Sequence, residues 1–268
     1  MSPAIQAAIL GVVQGVTEFL PVSSSAHLIL ARAFFGFDGD KFGLPFDVAC
    51  HLGTVIAAIV YFRAEITRMV AALPRLFAPA RDADARMIWM LVVGTVPAVM
   101  VGLVFNNYIE EHLRTVGVAA VMLALGAVGF FVAESVGSKS RDEASLTMGE
   151  VFVIGCAQAV ALVPGVSRSG ITITVALLMG LRRPEAARFI FLLAIPAILG
   201  AAGHEAPKML KAGLAGEAQL FAIGVVVSAI VGYLAIAYFI RYLARHSLAA
   251  FAWYRLALAA AAVVWLIR

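Results

Sequence analysis

Two short segments of this sequence gather the residue types that bind anions and move protons. The first is Pro21-Val22-Ser23-Ser24-Ser25-Ala26-His27, preceded by Gln14 and Glu18. Gln14 and Glu18 are four apart and so share one face of a helix aimed at the serines. Glu18 is the one acidic residue in the first 37. A carboxylate, a histidine and a set of hydroxyls can supply general acid/base, nucleophile or cation-ligand roles. The second segment is Pro164-Gly165-Val166-Ser167-Arg168-Ser169-Gly170. Its Pro-Gly breaks a helix, and Ser167 to Gly170 open the next one. Backbone N–H groups, the Ser167 and Ser169 hydroxyls and the Arg168 guanidinium then converge as a nest for a phosphate-like oxyanion. Thr172, four residues after Arg168, adds a hydroxyl on the same face. Three plainer roles compete: serines capping helices, a Glu18–Arg168 ion pair, and His27 hydrogen-bonded to backbone.

The elements that hold these segments are set by composition. Of 268 residues, 63% are hydrophobic and 13% charged, and mean hydropathy is +0.98. A soluble domain is nearer half apolar and a quarter charged, so both a soluble globule and a disordered chain are excluded. The expected fold is an all-α polytopic membrane protein. Six apolar runs, starting near 46, 87, 116, 186, 220 and 248, are long enough to cross about 30 Å of hydrocarbon as helices. Four shorter runs, Pro3–Leu20, Leu28–Phe37, Val151–Val163 and Ile171–Leu181, form two pairs, each broken by one of the polar segments. They read as two re-entrant helical hairpins, whose broken backbone must be buried in protein or line a wet cavity. An Arg such as Arg168, far from both ends of a membrane segment, is functional by default.

The two hairpins are copies. A shift of 144 residues superposes Gly11 on Gly155, Gln14 on Gln158, Val16 on Val160, Val22 on Val166, Ser23 on Ser167 and Ser25 on Ser169. The chain therefore reads as a single membrane domain, 1–268, built from one repeat over about 1–134 and another over about 147–268. Each repeat is a hairpin followed by three crossings, and the odd number inverts the second copy. Loop charge sets the orientation: with 63–86 cytoplasmic, 135–150, the Arg182-Arg183 turn and Arg241–Arg255 fall on that side too, and thirteen Lys/Arg lie inside. Six lie outside: Arg32, Lys41, Arg114, Lys208, Lys211 and Arg268, as the positive-inside rule asks. Inverted repeats with broken helices meeting near the midplane are a common design for a binding site.

The remaining candidates are weaker. His51 lies in an apolar crossing and is a secondary candidate for the cavity wall; His112, His204 and His246 read as solvated loop residues. Cys50 and Cys156 read as buried thiols, with no disulfide framework or zinc site. The net charge of +4 is explained by membrane-orienting loops, so no nucleic-acid partner is expected. Gly11 and Gly15 read as a close helix-packing pair. Together the residues describe a mid-membrane pocket for an anionic phosphate group on a lipid, with acid/base residues against it. Two functions suit that pocket: a lipid phosphate hydrolase, or a lipid-phosphate flippase or ion-coupled transporter.

The run Gln14-Gly15-Val16-Thr17-Glu18-Phe19-Leu20-Pro21-Val22-Ser23-Ser24-Ser25-Ala26-His27 and the run Pro164 to Thr172 resemble the bacterial undecaprenyl-diphosphatase family of the bacitracin-resistance type. The resemblance extends to Phe46-Asp47, His51-Leu52-Gly53-Thr54 and Phe191–Gly200. It implies hydrolysis of undecaprenyl diphosphate to the monophosphate carrier of cell-wall synthesis, in the bacterial cytoplasmic membrane, at a site open to the periplasm. It also implies a polyprenyl diphosphate substrate, a divalent cation (Mg²⁺ or Ca²⁺, with Glu18 as its carboxylate ligand) and room for a homodimer. The family's acidic motif has Glu or Gln first and Glu second; Gln14 and Glu18 match the Gln form, which leaves one ionisable carboxylate. On this reading Glu18, Ser24, His27 and Arg168 are catalytic. Gln14, Ser23, Ser25, Ser167, Ser169, Gly170 and Thr172 bind substrate. Ser24 leads as nucleophile, with His27 and water as rivals.

Overall fold

The structure is a computed structural model that describes residues 1–39, 41–77, 82–211 and 218–268, without the side chains of 205–211. Among the described residues the regular structure is helical, and eleven α-helices follow one another along the chain. The first hairpin is α1 (Pro3–Phe19) and α2 (Ser24–Phe35). Then come α3 (Leu44–Tyr61), α4 (Arg63–Ala72), α5 (Ala83–Tyr108) and α6 (Val116–Val136). The second hairpin is α7 (Met148–Val160) and α8 (Arg168–Leu178). It is followed by α9 (Arg183–Lys211), α10 (Ala218–Leu243) and α11 (Ala249–Leu266).

Six helices are long and apolar enough to cross a bilayer: α3, α5 with its π-helical extension Ile109–Leu113, α6, α9 to His204, α10 and α11. The chain is a multi-pass membrane protein. Its outer face is apolar in helical register, with Val121, Leu125, Val128 and Val132 exposed on α6 and Val226, Ile230, Leu234 and Tyr238 on α10. The inward faces set small residues among larger ones, with Ala119, Ala120 and Ala127 beside Leu123 and Phe130 on α6. Helices in lipid gain little from hydrophobicity, so close backbone approach is what holds them together.

Each hairpin docks its first helix on a crossing of the other half: α1 packs along α10, and α7 along α5. Glycine makes both approaches possible. A Cβ at Gly15 would stand 2.7 Å from Val231 Cβ, and one at Gly155 would stand 2.6 Å from the Gly94 carbonyl oxygen. Gly11, which corresponds to Gly155 at the 144-residue shift, also lies at the crossing with α10, where a Cβ would stand 3.0 Å from Val227 Cβ. The docking of the two hairpins brings the turns after α1 and α7 together inside the bundle.

Several placements differ from the sequence reading. The segment after Phe62 is helical rather than a loop: α4 turns Met69 and Ala72 inward. Arg255 is not a loop charge; it lies within α11 and is completely buried. Cys50 is buried, but Cys156 is exposed, because it sits on the outward face of α7. His112 falls in the π-helical turn and His204 in α9. Arg81 lies outside the described residues, as do the side chains of Lys208 and Lys211.

Candidate active site

The two turns have the same local structure for the same reason. Ser23 and Ser167 are the N-caps of α2 and α8, with φ of 74° and 73°. Positive φ is costly for a residue with a Cβ and persists only where surrounding structure enforces it. Ser23 Oγ accepts from Ala26 N at 3.4 Å, and Ser167 Oγ accepts from Gly170 N at 3.1 Å. Each cap hydroxyl also meets the serine two positions on, Ser25 at 3.2 Å and Ser169 at 3.3 Å. The Gly170 N–H is thus spent on its own helix cap. Two helix N-termini, each favourable to an anion, end at one cavity.

That cavity has a volume of about 280 Å³. Glu18, Ser23, Ser24, Ser25, Ser167 and Arg168 all line it. Glu18 is the hub. Its Oε2 accepts from Ser24 Oγ at 2.7 Å and from Gln14 Nε2 at 2.9 Å, and lies 3.3 Å from His51 Nε2. Its Oε1 accepts from Arg168 Nη2 at 2.9 Å, so the one charged contact between the hairpins is also their chemical centre. Ser24 and Glu18 have the separation of a nucleophile and its base.

The other residues singled out by sequence are placed differently. His27 does not line this cavity. Its Nδ1 donates to the Ser23 carbonyl oxygen at 2.7 Å, and its Nε2 is 2.7 Å from the Tyr254 hydroxyl, on whose ring it stacks. Both ring nitrogens are occupied away from Glu18. Ser169 Oγ donates to the Glu18 and Leu20 carbonyl oxygens at 3.3 and 3.4 Å, bonding the second hairpin to the first. Thr172 Oγ1 donates to the Arg168 carbonyl oxygen at 2.6 Å and is fully buried. Gln14 is buried behind Glu18, with its Oε1 unpartnered.

A family model described as Bacitracin resistance protein BacA matches residues 7–261. The chain belongs to that family. It is 50% identical over 264 residues to an undecaprenyl-diphosphatase of Rubrobacter xylanophilus, covering 97% of both chains. A relative of the same name from Trichlorobacter lovleyi is 44% identical over 256 residues, covering 94% of this chain and 93% of its own. Another, from Saccharophagus degradans, is 42% identical over 263 residues, covering 97% and 98%.

In this BacA-family chain, the secondary candidate His51 does line the cavity, and two further site features escaped the sequence reading. His51 reaches Glu18, and its Nδ1 donates to the Asp47 carbonyl oxygen at 2.7 Å. The Asp47 carboxylate accepts from both guanidinium nitrogens of Arg32, at 2.8 and 2.6 Å, and from Arg114, which lines the cavity. Arg255 closes the back of the site. It donates to the Pro21 carbonyl oxygen at 3.2 Å in the first turn, and to Gly165 and Val166 at 3.0 and 3.1 Å in the second. It also donates to Met122 and Leu123 of α6, and its guanidinium faces the Phe130 ring at 5.2 Å. Gly126 makes room, since a Cβ there would stand 2.0 Å from Arg255 Nη2. Its sequence signal was an arginine flanked on both sides by apolar residues.

Among the described residues no three His, Cys, Asp or Glu side chains gather to hold a metal ion. The oxygens that fit one are the Glu18 carboxylate and the orphaned Gln14 Oε1. That donor set suits a hard cation carried largely by substrate phosphates rather than one caged by protein.

Proposed function

We propose that this protein is an integral-membrane phosphatase that hydrolyses undecaprenyl diphosphate to undecaprenyl phosphate and inorganic phosphate, recycling the lipid carrier for cell-wall synthesis. The observation that carries the reading is the Ser24–Glu18–Arg168 contact at two facing helix N-termini. A nucleophile, a base and a cation for phosphate oxygens meet there inside an apolar protein. A carrier would use Arg168 and the helix ends but has no need of a serine hydrogen-bonded to a carboxylate.

The terminal phosphate enters against Arg168 and the N-termini of α2 and α8, and takes the guanidinium from Glu18. The freed carboxylate accepts the Ser24 proton as Oγ forms a bond to the terminal phosphorus. The bond from that phosphorus to the bridging oxygen breaks, and the electron pair leaves on undecaprenyl phosphate. Water then attacks the phosphoserine, Glu18 returns its proton to Ser24 Oγ as the Oγ–P bond breaks, and the water's protons leave on inorganic phosphate, which restores the carboxylate. Arg168 opposes the charge on the transferred phosphoryl throughout, the largest single contribution in such reactions. His51 carries a proton on Nδ1; a second on Nε2 would face Glu18 and make it a proton reservoir for the carboxylate. Glu18 and Gln14 Oε1 would hold a Mg²⁺ or Ca²⁺ that arrived with the diphosphate, and the chemistry so supplied would be further neutralisation of phosphate charge.

The same reading places the protein in the bacterial cytoplasmic membrane, as two inverted repeats, with the cavity open to the periplasm. Its support is the loop charge: with Arg255 withdrawn, twelve Lys/Arg stand on the cytoplasmic side against six.

The test is phosphate release from undecaprenyl diphosphate by purified protein in detergent, with and without EDTA, comparing wild type, Ser24→Ala and Arg168→Ala. Release by wild type, lost in both variants, is the expected result. No release from folded wild type supplied with Mg²⁺ and Ca²⁺ would overturn the assignment.

A further inference from the structure

A second depression lies beside the site. It is an apolar groove of about 550 Å³ between α4, α5 and α9. Val99 lines both it and the active-site cavity. From Val99 the groove runs along Val96, Val92 and Ile88 of α5, with Pro196 opposite and Leu73 beside α4. Its lining has one hydroxyl, on Thr95, which donates to the Leu91 carbonyl oxygen at 2.6 Å and so presents no unmet polar group. From Ile88 to Met100 the groove follows about 18 Å of helix, at 1.5 Å per residue.

Val99 is the wall residue that the two spaces share. A Cβ at Gly200 would stand 3.9 Å from Val99 Cγ2. Beside Val99 the cavity wall includes small residues, Ala98 and Gly102 on α5 and Ala197 and Ala201 on α9. Toward its other end the cavity is lined by Glu110, Arg114 and His204. The cavity lining is therefore polar at these residues and small and apolar beside Val99.

We infer that this groove is the binding site for the first isoprene units of the lipid substrate, with the chain leaving the phosphate cavity past Val99 and Gly200. The inference rests on the phosphatase reading for the position of the diphosphate. It adds a separate site, on residues without chemistry. A diphosphate held at Arg168 cannot keep its tail among polar side chains, and the groove on the far side of Val99 is built of apolar residues, Val92, Val96 and Met100 among them, that are exposed on the outer face. The groove supplies direction more than affinity, because a tail that leaves bilayer for protein trades one apolar surface for another.

The test uses a polyprenyl methylene-diphosphonate, which cannot be cleaved at the bridge, bearing a diazirine a few isoprene units from the headgroup. Photolabelled full-length protein in lipid nanodiscs is digested and mapped. Label is expected on residues 88–100 and 195–199. Val96→Trp, which fills the groove, should reduce that label about tenfold, equivalent to ~1.4 kcal/mol of binding. Met100→Trp, at another exposed groove position, should do the same, whereas Val226→Trp on the lipid face of α10 should not. Label spread over lipid-facing helices, or equal labelling of the groove by the same chain without its diphosphonate, would overturn the proposal. Because labelling needs no turnover, it reads separately from phosphate release on the same preparation, which judges the phosphatase assignment.

Discussion

Ser24 Oγ donates to Glu18 Oε2 at 2.7 Å, across the turn that ends α1. The geometry makes Glu18 the acceptor of the serine proton, and Arg168 the group that substrate must draw away from it. Glu18→Gln keeps the size and the hydrogen bonding but cannot take a proton. It should lower kcat by about 10²- to 10⁴-fold, the usual worth of a positioned acid or base. KM should stay within a few fold, since Arg168 is then free for phosphate. Steady-state phosphate release decides it; retention of most of the wild-type kcat would remove Glu18 from the mechanism.

The two histidines divide by where their nitrogens point. His51 Nε2 faces Glu18 at 3.3 Å, whereas His27 spends both nitrogens on Ser23 and Tyr254. His51→Gln should therefore cost about tenfold or more in kcat with little change in thermal stability. His27→Gln should act mainly on stability, by about 1 kcal/mol for lost hydrogen bonds. Melting curves and kinetics on the same two variants test the division, and a larger kcat loss at His27 would reverse it.

Arg255 ties both turns to α6 through carbonyl oxygens that have no water to turn to. Arg255→Met fills similar space but leaves the turn carbonyl oxygens of Pro21, Gly165 and Val166 without their donor, at about 1–3 kcal/mol for each buried group left unmet. A large fall in melting temperature is expected, with kcat reduced in the protein that remains folded. Arg255→Lys should fall between, because one ammonium cannot reproduce the planar fork. An unchanged melting temperature in Arg255→Met would show that the turns hold themselves.

The same residue marks the boundary of what sequence made legible. The six crossings were readable because hydropathy in a span is a continuous run; the run beginning near 46 became Leu44–Tyr61, and that near 116 became Val116–Val136. The runs near 87 and 186 began early, at Ala83 and Arg183, since polar residues at helix ends carry no hydropathy signal. The meeting of Glu18 with Arg168 was legible as a competing ion pair. What sequence could not carry was side-chain direction. His27 and His51 differ in role because one ring turns toward α11 and the other toward α1, and spacing along the chain does not encode that. Arg255 was read with its neighbours Arg241 and Arg245 as loop charge, although its apolar flanks mark a buried position.

Away from the site, Glu143 makes stability depend on pH. It lies between α6 and α7, with Oε2 buried and unpartnered. Burial pushes its carboxyl up to about 7, aided by Glu185 and Glu65 and opposed by Arg188. Arg188 is itself 3.0 Å from Glu65. Between the ordinary carboxyl value near 4.5 and about 7, the folded protein holds the proton more firmly than the unfolded chain. Stability from this group is thus full below pH 4.5, declines as pH rises through 7, and is flat above. Glu143→Gln removes that decline. At pH 8 the variant should melt higher than wild type, by roughly 2–4 °C for each kcal/mol recovered in a chain of this size. About 1 kcal/mol is expected, because the residue is partly exposed and water screens the effect. At pH 4.5 the two should coincide. Melting curves at both pH values supply the difference, and a Glu143→Gln advantage that is larger at the lower pH would contradict the assigned sign.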